Sequence, residues 1–136
     1  MTKKIDFSKY AIFVDGVTSH PSKDYQCFLE SISSLNGKGA NIERLLTAAV
    51  GISAEGGEFM EIVKKMLFQG KPWNDDNREH LIIELGDVMW YVMQACKALD
   101  LSLDEVIAGN VEKLKKRYPG GDFNVYHSEN RAADDR

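Results

Sequence analysis

Apolar residues recur along this chain with the 3.6-residue period of helices, and no stretch alternates for long enough to read as a strand. The first twenty residues mix aromatic and polar types around the turn signals Asp15-Gly16 and His20-Pro21, and read as an irregular arm. From Asp24 to Leu35, the spacing of Cys27, Phe28, Ile32 and Leu35 predicts a first helix, ended by Asn36-Gly37 and Gly39. Asn41 is the expected N-cap of a second, with Arg44 where a capping-box glutamate would stand. Its apolar stripe runs through Ile42, Leu45, Leu46, Ala49, Ile52, Phe59, Val63 and Met66 to Gln69-Gly70. Lys71-Pro72-Trp73-Asn74 breaks the pattern, and Asp75, Asp76 and Asn77 offer caps for a third helix reaching about Leu99. Ser102 caps a fourth, with Val106, Ile107, Val111 and Leu114 on its apolar face, and Pro119-Gly120-Gly121 stops it. The tail from Asn124 is polar and expected to be mobile. The fold class is therefore all-α, of four-helix-bundle type, divided into residues 1–40 (arm and first helix), 41–123 (helical core) and 124–136 (polar tail).

Composition narrows the function. At 136 residues the chain fits one domain, and 28% charged with 43% hydrophobic residues is a globular balance. A formal charge of -4 argues against coating a nucleic-acid polymer, which rewards neutralised phosphates, but not against a small phosphorylated ligand. Two cysteines, Cys27 and Cys96, make no disulfide framework. Neither a signal-peptide h-region nor an apolar span of 18 residues is present, so no membrane association and a reducing, cytoplasmic setting are expected. The second and third helices, the latter apolar on much of its circumference from Leu81 to Cys96, carry more apolar surface than one small bundle hides. A homodimer or homotetramer is expected through them.

The informative positions are acidic. In LIIELGDVMWYVMQAC, Glu84 and Asp87 are the only ionisable groups besides Tyr91 and the thiol. Spaced i, i+3, they share one helix face, continued by Tyr91 and Gln94. A charge on a buried face costs several kcal/mol unless paired or bound to metal. Glu55 and Glu58 repeat the spacing on the second helix, around Gly56 and Gly57. Each glycine costs about 1 kcal/mol relative to alanine there, which suggests that a neighbouring helix or a ligand approaches the backbone. Two such pairs facing across a bundle make a four-carboxylate site suited to Mg²⁺ or Mn²⁺. Glu55 and Glu58 alone read more readily as a solvated helix edge, and salt bridges from Glu84 and Asp87 to a lysine across the bundle are the lesser alternative, which leaves a non-catalytic interaction module as the rival. A redox dimetal site would call for Glu-x-x-His, which is absent. Trp90 reads as core, Trp73 as a loop packing residue, and Glu61 as solvent-facing.

EGGE at 55–58 and ELGD at 84–87, separated by residues 59–83, resemble the Glu-x-x-Glu and Glu-x-x-Asp signature of the MazG-like, all-α nucleoside triphosphate pyrophosphatase superfamily. NVEKLKKRYPGGDF, at 110–123, resembles the segment that closes the domain in many members. The resemblance covers roughly residues 41–123. It implies Mg²⁺-dependent cleavage of nucleoside triphosphates to monophosphate and pyrophosphate, with Glu55, Glu58, Glu84 and Asp87 as metal ligands. It also implies Glu55, or alternatively Glu58, as the carboxylate that orients or deprotonates water. Asn110, Lys113 and Arg117, on one stripe of the fourth helix, become candidate phosphate ligands, while Lys115 and Lys116 read as charges that complement the helix dipole. Ala54 departs from the acidic residue many members carry there, which leaves the water-activating base open.

Overall fold

The computed structural model describes residues 4–133, and within them the chain is α-helical without strands. It divides into two compact units, one up to Ile42 and one from Glu43 onward.

The first unit holds α1 (Phe7–Val17), a 3-10 turn at His20–Ser22, and α2 (Tyr25–Gly37). Where the sequence suggested an irregular arm, α1 is a regular helix. Asp6 caps it, its carboxylate accepting the amides of Ser8 at 3.1 Å and Lys9 at 3.2 Å. Asp15-Gly16 lies in its last turn rather than breaking it. Phe7, Tyr10, Ala11 and Val14 recur at i, i+3, i+4 and i+7, a stripe that the turn signals Asp15-Gly16 and His20-Pro21 obscure. Lys23 ties the turn back to α1 through the Asp15 carbonyl at 2.6 Å and carboxylate at 3.5 Å. Asp24 starts α2 by accepting the Cys27 amide at 2.8 Å.

The second unit contains α3 (Ile42–Phe68), α4 (Asp75–Ala98), α5 (Leu103–Arg117) and α6 (Val125–Glu129). Gly70, at φ 69°, turns the chain out of α3 in a conformation open to glycine. Asn74 is the cap of α4, one residue earlier than expected, and accepts the Asn77 amide at 2.9 Å. Asn77 is not itself the cap. It is buried, and its side-chain amide donates to the Pro72 carbonyl at 2.6 Å, clamping the α3–α4 turn. This turn sends α4 back along α3, and register follows from helical rise. Gly51 lies 17 residues before the end of α3 and Tyr91 lies 16 residues after the start of α4, about 25 Å from the turn in each case. They meet: Gly51 is buried, and a Cβ placed on it would land on the Tyr91 ring. The close approach thus occurs at Gly51, whereas a Cβ at Gly56 or Gly57 meets no heavy atom within 4 Å.

A full capping box at Ser102 and Glu105 starts α5 (2.7 and 3.2 Å), which packs on α4. Beyond Tyr118 the chain does not run on as an irregular tail, because Asn124 accepts the His127 amide at 3.2 Å and nucleates α6. The mobility expected for residues 134–136 lies outside the described residues. Little apolar surface is hidden: among the described residues only Ala48, Ile62 and Cys96 are buried hydrophobics. Trp90, expected in the core, is 55% exposed and meets Tyr91 edge-on at 4.8 Å. No helix of the described chain is long and apolar enough to cross a membrane.

Candidate metal centre

The same register that joins Gly51 to Tyr91 assembles the acidic site. Glu55 stands about 20 Å from the turn along α3, and Glu84 and Asp87 stand about 14 and 18 Å along α4. Glu55, Glu84 and Asp87 each bring one carboxylate oxygen into a group whose members lie within 4.8 Å of one another. Mg²⁺ at about 2.1 Å from each ligand holds neighbouring oxygens roughly 3 Å apart, so a small side-chain contraction closes this triad on an ion. An all-oxygen donor set with no sulfur or imidazole within it fits a hard divalent cation. Glu58, one turn beyond Glu55, is exposed and stands outside the triad.

Electrostatics agree with an assembled site. The Glu55 carboxyl is pushed above its ordinary value, first by partial burial, then by the charges of Asp87, Glu84 and Glu58 in that order. Three carboxylates this close repel one another without a cation between them. The ion-pair partner seen at the triad among the described residues is His80, whose Nε2 lies 3.0 Å from a Glu84 oxygen. A neighbour of that kind orients a metal-ligating carboxylate and leaves its other oxygen available. The i, i+4 spacing of His80 to Glu84 is the signal in the sequence for this contact. Glu61 is neither a neighbour of the triad nor idle in solvent. Lys64 and Lys65 pair with it, and their hydrogen bonds hold its carboxyl below the usual range.

The basic candidates gather elsewhere on the second unit. Lys113 and Arg117 are half-buried and line one cavity of about 380 Å³, while Asn110 is exposed and does not line it. Lys116 also lines it, which its reading as a dipole-complementing charge did not anticipate, whereas Lys115 pairs with Glu112 at 3.1 Å. His127, Asn130 and Arg131 complete the wall from α6 and the residues after it.

Against known proteins, residues 44–121 match the family model of the MazG nucleotide pyrophosphohydrolase domain. The chain is also 40% identical over 82 residues to the Gene 37 protein of Mycobacterium phage L5, an alignment spanning 60% of this chain and 72% of that protein. No solved structure matches it.

Proposed function

The chain belongs to the MazG nucleotide pyrophosphohydrolase family, and on that footing we propose that it hydrolyses nucleoside triphosphates to monophosphate and pyrophosphate with Mg²⁺. The observation that carries this reading is the triad of Glu55, Glu84 and Asp87, contributed by two antiparallel helices inside the matched segment. A bound Mg²⁺ supplies neutralising charge for the phosphates and makes water more acidic. The residues of the chain do the rest. Glu84 and Asp87, one turn apart on α4, hold the ion, and His80 keeps Glu84 turned toward it. Glu55 holds it from α3 and orients the attacking water, accepting its proton by position more than by basicity. Glu58 is the remaining carboxylate of the set and takes the water-orienting role in the alternative assignment. Lys113 and Arg117 bind phosphate oxygens, the arginine through its bidentate fork. The salt-bridge module is disfavoured because, among the described residues, the triad's ion-pair partner is a histidine at one edge rather than lysines across it.

The apolar surface left open on α3 and α4, including Val50, Met60, Ile82, Ile83 and Leu85, supports a second copy of the chain as its cover. A homodimer or homotetramer follows. Activity is tested on a panel of ribo- and deoxyribonucleoside triphosphates with Mg²⁺ or Mn²⁺, the products being separated by chromatography. Monophosphate and pyrophosphate should appear and should vanish in EDTA. Full turnover in chelator, or release of orthophosphate alone, would end the reading.

A further inference from the structure

Gly51 and Tyr91 stand in the same register as the acidic triad, one turn away from it. Gly51 precedes Glu55 by four residues on α3, and Tyr91 follows Asp87 by four on α4. In antiparallel helices both steps run the same way along the hairpin, so the Gly51–Tyr91 contact lies about 6 Å from the level of Glu55 and Asp87. Positions four apart also share a helix face. Along α3, Ala48, Gly51 and Ile62 are buried, and Glu55 is half-buried seven residues from both Ala48 and Ile62. The α3 ligand of the triad therefore belongs to the same buried face as Gly51.

At the contact, the Tyr91 ring fills the place where a side chain at residue 51 would begin. Trp90 abuts the same ring edge-on at 4.8 Å, which limits where the ring can move. Helix axes pack about 8–10 Å apart, and the side chains at the contact decide where in that range a pair falls. A glycine there lets the backbones approach to the near end. Gly56 and Gly57 play no such part, since a Cβ on either meets nothing within 4 Å.

Cation size is what such a spacing selects. Mg²⁺ demands near-ideal octahedral geometry at about 2.0–2.1 Å, whereas Ca²⁺ accepts flexible geometry at about 2.3–2.6 Å. The oxygens of Glu55, Glu84 and Asp87 lie within 4.8 Å of one another and come from two helices, so they close on the smaller ion only while α3 and α4 stay near. We propose that Gly51 and Tyr91 are positioning residues that set the α3–α4 spacing at the triad and thereby make it select Mg²⁺ over Ca²⁺. The inference rests on the metal role proposed above for Glu55, Glu84 and Asp87.

Competition for Mn²⁺ on the full, nucleotide-free chain tests it, with free Mn²⁺ read by electron paramagnetic resonance while Mg²⁺ or Ca²⁺ is titrated in. Wild type should release Mn²⁺ at a lower concentration of Mg²⁺ than of Ca²⁺. Gly51→Ala should shrink that preference by about tenfold or more, the loss falling on Mg²⁺. Gly57→Ala, whose new methyl meets nothing within 4 Å, should keep the wild-type preference. Adding Tyr91→Ala to Gly51→Ala should restore most of it. A merely structural role for Gly51 would lower the melting temperature and leave the preference unchanged, and that result overturns the proposal. So does a wild type that binds no Mn²⁺ or does not prefer Mg²⁺, and so does a folded Gly51→Ala/Tyr91→Ala without the preference. These last outcomes remain decisive where Gly51→Ala alone does not fold. Turnover enters none of the readouts. A failed triphosphatase assay leaves the spacing proposal standing, and an unchanged preference in Gly51→Ala leaves the triphosphatase reading standing.

Discussion

Replacing Gly51 by alanine sets two forces against each other. In a helix interior the exchange gains about 1 kcal/mol of propensity. At Gly51, however, the new methyl lands on the body of the Tyr91 ring, at Cγ, Cδ1 and Cε1 rather than at a flexible tip. Forcing a methyl into an occupied space costs about 1–3 kcal/mol. Gly57→Ala, on the same helix, meets nothing within 4 Å and keeps the whole propensity gain. The two variants should therefore differ by about 1–3 kcal/mol, Gly51→Ala being the less stable. Chemical denaturation of the metal-free protein reads this difference, and adding Tyr91→Ala to Gly51→Ala should remove most of the clash contribution. Equal stabilisation by the two alanines would refute the α3–α4 register, and with it the geometry that joins Glu55 to Glu84 and Asp87.

Light scattering should return a mass of two or four times 15.3 kDa, and a monomer at working concentration would contradict the covered α3–α4 surface. Because the Glu55 carboxyl is raised above its value of 4.5 in the unfolded chain, its contribution favours the fold at low pH and is lost as pH climbs above that value. Metal-free Glu55→Gln should then gain stability relative to wild type as pH rises through that window, and a difference that shrinks with pH would show the sign to be wrong. Asn77→Ala leaves the Pro72 carbonyl without its partner at the α3–α4 turn, and should cost about 1–3 kcal/mol in a melt.

Much of this architecture was legible in the residues. The i, i+3 carboxylates of α4 and the capping serine at 102 are local signals, and local signals survive folding. Glu55 joined Glu84 and Asp87 because the α3–α4 connection is short and both helices are long, so spacing along the chain became height along a hairpin. Glu58 shows the limit of such reasoning. The same i, i+3 spacing keeps Asp87 beside Glu84 yet leaves Glu58 outside the triad, because which member of a pair faces the partner helix is set by the tertiary register. Gly56-Gly57 stands out as a pair in the sequence, yet Gly51 makes the contact, since which glycine faces a neighbour depends on a tertiary register that no local rule contains. The sequence hides α1 and α6 for different reasons: turn signals at Asp15-Gly16 and His20-Pro21 obscure the stripe of α1, and the five residues of α6 are too short to show a period. An apolar run implies burial, which places Trp90 in the core, yet the chain leaves it 55% exposed.

The metal centre stands or falls most directly on Asp87→Asn, followed by thermal melting with and without Mg²⁺ alongside turnover. In the metal-free protein Asp87 is the leading charge that opposes ionisation of Glu55. Its neutralisation should leave the metal-free melting temperature level or higher and return the Glu55 carboxyl toward its ordinary value. Wild type should gain stability from Mg²⁺ by mass action, the variant much less, and the variant should lose nearly all turnover. A variant that melts far lower without metal, or that gains as much from Mg²⁺ as wild type does, would make Asp87 a structural residue and contradict the centre described here.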